Sequence, residues 1–270
     1  MSFDVLVLAG RRGPNQDPVA AAGGASCKAL VPVAGTPMIE RVLATLQGSP
    51  HVGAITVAMD GNLPLAREAP ALADALAKGR VQRRTPDHSP CATVRAAFAE
   101  RAGARPLLIA TADHPFLTRE MVDAFCAGAT LSGADVSAAV TPTRLLDAAF
   151  PGARRTRLRF RDDAYSGCNL FALMRPGADN VLAFWQRLEQ ERKRPWRMAM
   201  RIGSGTLLRY ALGRLTLDAA VARLGRRVGA KLAAIRLYRA EAAKDVDSVS
   251  DLHLVEGILS EREAPPSPAD

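Results

Sequence analysis

LVLAGRRGPNQDPVAAAGGASCKALVPVAGTPMIERV, residues 6–42, is the stretch whose reading decides the fold. An apolar run, Val5 to Ala9, breaks at Gly10 into a loop carrying Arg11, Arg12 and Gly13. Lys28 follows 18 residues after Gly10, and then come Pro32, Gly35, Pro37 and an amphipathic helical pattern. A strand that opens into a loop with glycine and arginine can wrap a polyphosphate. Glycine lets backbone N–H groups approach closely, and the cations offset phosphate charge. The competing reading is a plain surface loop between a strand and a helix. Two features count against it. A structureless loop of this length is uncommon unless it has a function. Lysine is also scarce, with only Lys28, Lys78, Lys193, Lys231 and Lys244 in 270 residues.

Outward from this stretch, strand-like and helix-like segments alternate. Strands are expected at 4–9, 53–59, 80–83, 105–111 and 134–140, and helices at 37–47, 63–77, 90–102 and 119–128. Thr36 with Pro37, and Ser89 with Pro90, read as helix starts, as does Thr118. Such alternation implies a mostly parallel sheet with helices on both faces. Beyond Val140, residues 151–163 read as charged loop with a short strand at 156–160. A strand is expected at 165–173, helix at 178–224 interrupted by Pro195 and Gly203-Ser204-Gly205, strand at 231–238 and helix at 248–261. One domain is expected over 1–261, with a helical insertion at 176–227 and a disordered tail from Arg262.

Composition bounds the partners. The net charge of +9 suits a polyanionic ligand, nucleic acid or an anionic membrane surface, and charge alone does not choose among them. Asp4 and the Arg11-Arg12 pair bracket an apolar segment too short for a signal peptide. No run of about 18 apolar residues exists, so no membrane span is expected. Cys27, Cys91, Cys126 and Cys168 lie far apart, which argues against a zinc site or a disulfide framework and for a reducing cytoplasm.

Chemistry concentrates at a few places. The strand in LLIATADHP ends at Asp113, beyond the carboxyl edge of a parallel strand, where open α/β sheets bind ligands. A carboxylate there suits Mg²⁺, which takes one or two carboxylates together with substrate phosphate oxygens. Capping of a turn before Pro115 is the simpler alternative. Ser89 and Thr93 open the helix after the third strand, where a hydroxyl can contact a ligand or simply cap. In Tyr165-Ser166-Gly167-Cys168-Asn169, Ser166 and Asn169 can hydrogen-bond an acceptor. Arg157, Arg159 and Arg161 recur at period two, which would place all three on one strand face able to grip a phosphate; a solvated basic edge explains them as well. Residues 187–214 interleave Arg187, Arg192, Lys193, Arg194, Arg197, Arg201, Arg209 and Arg214 with Trp196 and Tyr210, just after Trp185. That pattern suits an anionic membrane surface or, with better odds, the protein's own core or a partner subunit.

The chain resembles the MobA-like nucleotidyltransferases, whose pattern is roughly L-x-x-G-x-G-x-R, then P-K-x-L-x-x-x-x-G-x-P-[ML]-[IL]. Here it reads Leu8-Ala9-Gly10-Arg11-Arg12-Gly13, then Cys27-Lys28-Ala29-Leu30, then Gly35-Thr36-Pro37-Met38-Ile39. Cys27 stands where the family has proline, and the arginine-to-lysine spacer is long. Asp245-Val246-Asp247-Ser248-Val249-Ser250-Asp251-Leu252 resembles the family's late D-[IV]-D-[ST]-x-x-D-[LF] motif. The resemblance covers residues 3–140 well, 165–175 and 243–259 loosely, and 176–242 hardly at all. It implies a Rossmann-like GT-A fold and transfer of a nucleotidyl group from an NTP to a phosphorylated acceptor. On this match Arg12 and Lys28 act on the triphosphate. Leu8, Ala9, Gly10, Arg11, Gly13, Ser89 and Thr93 bind the nucleotide. Asp113 and Asp247 hold Mg²⁺, with Asp245 the alternative ligand, and Ser248 caps the last helix. Arg157, Arg159, Ser166 and Asn169 meet the acceptor.

The resulting expectation is a cytoplasmic, Mg²⁺-dependent enzyme with CTP as the preferred nucleotide and a sugar or polyol phosphate as acceptor. Nucleic acid is not expected as a partner, and the basic helical segment leaves peripheral membrane contact and a homodimer open. A GT-A sugar transferase is one alternative, although Asp113-His114-Pro115 lacks the usual Asp-x-Asp pair. A non-catalytic basic module is the other, and it requires that Lys28 and Asp113 do not converge.

Overall fold

Phe3–Leu8 forms β1, and five of its six residues are buried, as befits a strand covered on both faces. The computed structural model describes residues 1–10, 17–101, 105–152, 156–190 and 203–264. After β1 come α1 (Pro18–Ala22), the short hairpin β2 (Pro32–Val33) and β3 (Thr36–Pro37), and α2 (Met38–Gln47). Next are β4 (Val52–Ala58), α3 (Leu65–Glu68), α4 (Pro70–Ala77), β5 (Gln82–Arg84), α5 (Pro90–Ala99), β6 (Leu107–Thr111) and α6 (Arg119–Ser132). The second half holds β7 (Val136–Pro142), α7 (Thr143–Ala149), β8 (Leu158–Arg159), β9 (Ala164–Leu173) and α8 (Ala178–Gln190). It closes with α9 (Ser204–Ala211), α10 (Leu217–Val228), β10 (Leu232–Arg236) and α11 (Val249–Glu263).

The main sheet runs β10-β7-β9-β6-β1-β4-β5, with β8 added to β9. Strands β1, β4, β5 and β6 are mutually parallel where they pair, and β10 is parallel to β7. Strand β9 is antiparallel to both neighbours, β6 and β7. Helices cover both faces. One core joins Val5, Val7, Leu108 and Ala110 to Met38, Val42 and Leu46 of α2, Val122 and Phe125 of α6, and Val255 of α11. The other joins Leu6, Leu107 and Ile109 to Val94 and Ala97 of α5 and Leu182 of α8. This is the three-layer arrangement expected from alternating strands and helices.

Several expectations are corrected. Thr36 does not cap α2; it pairs with Val33 in the hairpin, and Pro37 precedes the helix without a side-chain cap. The helix expected at 63–77 is two helices, because Pro70 cannot continue α3 and instead opens α4. Helix α7 was not expected at all. The disordered tail does not begin at Arg262: α11 runs to Glu263, which pairs with Arg41, and Arg262 lies over the Phe116 ring and pairs with Glu241. The period-two basic strand is only Leu158–Arg159. Arg192, Lys193, Arg194, Trp196, Arg197 and Arg201 lie outside the described residues. Trp185 is exposed and meets the Phe171 ring edge-on. Among the described residues no helix is long and apolar enough to cross a membrane.

Candidate active site at the carboxyl edge of the sheet

Strands β1, β4, β5 and β6 deliver their carboxyl ends to one edge, where Leu8 registers with Ala58 on one side and Thr111 on the other. Ala9 N donates to Ala58 O at 2.9 Å, and Gly10 follows, exposed. Arg11, Arg12 and Gly13 lie outside the described residues. A Cβ built at Gly10 would stand 3.4 Å from Pro86 Cβ, so the segment leading into α5 lies directly beside the carboxyl end of β1. That segment is shaped from within. Ser89 Oγ accepts from Ala92 N at 3.2 Å, Thr93 Oγ1 donates to Ser89 O at 3.0 Å, and Thr93 Oγ1 accepts from Asp87 N at 2.8 Å. Both hydroxyls therefore serve the helix start, and Thr93 is buried.

Lys28 opens a single turn, Lys28–Leu30, whose Ala29 and Leu30 are buried anchors. The approach to this turn is fastened to α3: Ser26 N and Ser26 Oγ donate to the two oxygens of Glu68 at 2.8 and 2.9 Å. So held, Lys28 Nζ lies 2.6 Å from Asp113 Oδ2 and 3.0 Å from Asp247 Oδ1. Asp113 follows β6 by two residues, and its main-chain oxygen accepts from Val246 N at 2.9 Å, which stitches the late loop to the strand end. Asp113, Asp245 and Asp247 offer carboxylate oxygens all within 4.8 Å of one another. Asn169 Nδ2 donates to Asp245 Oδ2 at 2.7 Å. The β7–β9 register slips between Ala138 and Val140, close to this residue, and such irregularities re-aim side chains beside sites.

Burial works against the charge on Lys28, but the carboxylates of Asp113 and Asp247 overcome it, so its pKa is raised above the ordinary 10.5. Carboxylates this close repel by a few kcal/mol each at an effective dielectric of about 20. The clustering of three carboxylates and the all-oxygen donor set fit Mg²⁺, which prefers carboxylates. His114, beside Asp113, is buried with Nε2 2.9 Å from Glu241 O, a structural contact.

The expected acceptor residues are divided. Asn169 reaches the carboxylate cluster. Ser166 is buried on β9 opposite Thr141. Arg157 is held bidentately by Asp147 at 2.9 and 2.6 Å, while Arg159 registers with Ala164 and its main-chain N meets Tyr210 OH at 3.1 Å. Ala164 is five residues from Asn169, about 17 Å along an extended strand, so the Arg159 backbone stands well away from Asn169, and the Arg157 guanidinium is committed to Asp147. Sequence reading did not single out Glu68 or Lys244. Their partners are Ser26, 42 residues from Glu68, and Asp251 on the last helix. Neither pair leaves a recognisable local signature.

Comparison with known proteins accords with this geometry. A structure from Thermus thermophilus described as a hypothetical transferase matches with TM-score 0.73 and 28% identity, over 93% of this chain and all of that one. CMP:2-keto-3-deoxy-manno-octonic acid synthetase complexed with CTP shares the fold at TM-score 0.60 and 14% identity, over 97% of this chain and all of that one. 4-Diphosphocytidyl-2C-methyl-D-erythritol synthase from Anaerococcus prevotii shares it at TM-score 0.55 and 10% identity, over 96% of each chain. No curated protein matches significantly. A model of the MobA-like NTP transferase domain matches residues 5–167, which take in Gly10 to Gly13, Lys28, Asp113 and the start of β9. With more than half its length matched, and with the lysine and the first aspartate brought together at the sheet edge, the chain belongs to the MobA-like NTP transferase family.

Proposed function

We propose that the protein is a Mg²⁺-dependent nucleotidyltransferase that moves an NMP group, CMP foremost, from an NTP to a phosphorylated small-molecule acceptor. The observation that carries this reading is the convergence of Lys28, Asp113 and Asp247, the last 219 residues from Lys28, into one cluster. A non-catalytic basic module has no reason to set its scarce lysine between two aspartates, and the 2.6 Å contact speaks against it.

In the proposed reaction an acceptor phosphate oxygen attacks the α-phosphorus in line. The bond to the β-phosphate bridging oxygen breaks, and pyrophosphate leaves with those electrons. Such chemistry asks the protein mainly to position two anions and to stabilise charge. The backbone of Ala9 and Gly10, with Arg11, Arg12 and Gly13, cradles the triphosphate. Lys28 places its ammonium where negative charge develops on the transferring group. Asp113 and Asp247, with Asp245 beside them, would hold Mg²⁺, which when bound neutralises phosphate charge. Ser89 and Thr93 shape the wall toward the base, and Asn169 and Ser166 line the acceptor side, with Arg157 and Arg159 farther out. Cytidine is favoured because two of the similar structures are named for cytidine nucleotides. The reading puts the enzyme in the cytoplasm without a nucleic-acid partner, and the basic composition of residues 187–214 suits an anionic membrane or a second copy.

The test is a screen of the four NTPs against sugar and polyol phosphates, following pyrophosphate release. CTP with one acceptor class should give the highest turnover, dependent on Mg²⁺. Absence of pyrophosphate with every pair, or full turnover in EDTA, would overturn the proposal.

A further inference from the structure

Among the described residues, Lys244 is the only buried lysine or arginine, with no solvent exposure. Its ammonium bonds to Asp251 Oδ1. The other oxygen of that carboxylate, Oδ2, accepts from Asp247 N at 3.2 Å and from Ser248 Oγ at 2.7 Å. Ser248 Oγ in turn accepts from Asp251 N at 3.2 Å and caps α11. Asp251 is thus the hub of the loop that carries Asp245 and Asp247, and Lys244 fixes the hub.

Stability gives no reason for a lysine here. Burying an ammonium costs several kcal/mol before pairing, and an apolar side chain in place of a buried ion pair is often no less stable. Ala242, Ala243 and Val246, its neighbours in sequence, are apolar and buried. The helix start does not need it either, since Ser248 supplies the cap. Position does give a reason. Lys244 stands one residue before Asp245 and three before Asp247. Through Asp251, which holds Asp247 N, Lys244 is tied to the two carboxylates that lie beside Asp113.

We propose that Lys244 is a positioning residue for the cation site: by locking Asp251 it holds loop 245–250 so that Asp245 and Asp247 face Asp113 at ligand separation. This rests on the reading of those carboxylates as cation ligands given above. Lys244 touches no substrate and acts only through Asp251. Its loss should therefore weaken cation binding while leaving turnover intact once the cation is saturating.

The experiment is Mn²⁺ binding, followed by electron paramagnetic resonance, for the parent, K244M/D251N, K244M and D113N. The double variant removes both charges of the pair at nearly constant volume, so it should unfold within a few degrees of the parent. K244M alone provides a second route if the double variant does not fold, because Asp251 is partly exposed and keeps its bonds to Asp247 N and Ser248 Oγ. Both should bind Mn²⁺ roughly tenfold or more weakly, the size of effect seen when a partner of a metal ligand is lost, and D113N should bind least. Turnover of both should return toward the parental rate as Mg²⁺ is raised. Affinity within about twofold of the parent in a folded variant, or turnover that high Mg²⁺ does not restore, would overturn the positioning role alone. A parent that binds no Mn²⁺, with or without CTP, would remove the cation site itself and the proposed function with it.

Discussion

Lys28 is held by two carboxylates at once, and its raised pKa keeps it an ammonium through the neutral and mildly alkaline range. On the proposed reading this cation is aimed at developing phosphate charge and lowers the barrier by a few kcal/mol, so Lys28→Ala should lose about 10²-fold or more in turnover while still folding. Pyrophosphate release and far-ultraviolet circular dichroism check both halves, and turnover within a few-fold of the parent would take Lys28 out of the reaction. Ala34 makes the opposite kind of case. It has φ +46°, a conformation that costs a side-chain-bearing residue about 1–2 kcal/mol. It stays there because Ala34 N donates to Glu256 Oε2 at 2.9 Å and Ala34 O accepts from Arg41 Nη2 at 3.1 Å. Ala34→Gly relieves the strain and adds some unfolded-state entropy. It should leave a net gain of roughly 0.5–1 kcal/mol, read as a melting point raised by a few degrees; an unchanged or lower value would count against stored strain.

Helix α6 packs under the sheet edge where Ile235 of β10 meets Gly128. A Cβ at Gly128 would stand 2.7 Å from Ile235 Cγ2. Gly128→Val should cost roughly 1–3 kcal/mol through overpacking, measured by urea denaturation, and an Ile235→Ala partner should recover part of it. Elements of this kind set the limit of what could be read beforehand. The parallel strands and their helices were legible because burial on both faces leaves continuous apolar runs and because Ser89 and Thr118 are true caps. That Asp113 and Asp247 approach each other was legible because Asp113 follows a strand end and Asp247 stands in a motif resembling the family's late one. Thr36 misled, since a hydroxyl before Pro37 suits a cap and a hairpin equally and the pairing with Val33 decided it. Arg157 misled because period two says nothing about Asp147, which holds it. Lys244 was counted only among the scarce lysines, because nothing local announces its burial or its pairing with Asp251 on α11.

At the scale of the molecule, one sheet sheathed on both faces buries all four thiols. Burial pushes Cys91 up to about 11, and Cys126 and Cys168 up to about 12. Because these folded pKa values exceed the ordinary 9.0, the stabilisation they imply is complete below about pH 9 and is lost as pH rises toward 11–12. The melting point should therefore fall above pH 9, and iodoacetamide at pH 8 should modify these three cysteines quickly only after denaturation. Rapid modification of the native protein would contradict their burial. The insertion of β9 between β6 and β7 has a further consequence, for how the protein is made. Chains fold from the amino terminus as they leave the ribosome. The gap between β6 and β7 stays open until residues 164–173 emerge, and Lys28 meets Asp247 only after nearly the whole chain has been synthesised. A nascent or clipped chain that ends before Asp247 thus carries Lys28 and Asp113 without the carboxylate that joins them, and on the proposed reading it should lack a complete cation site.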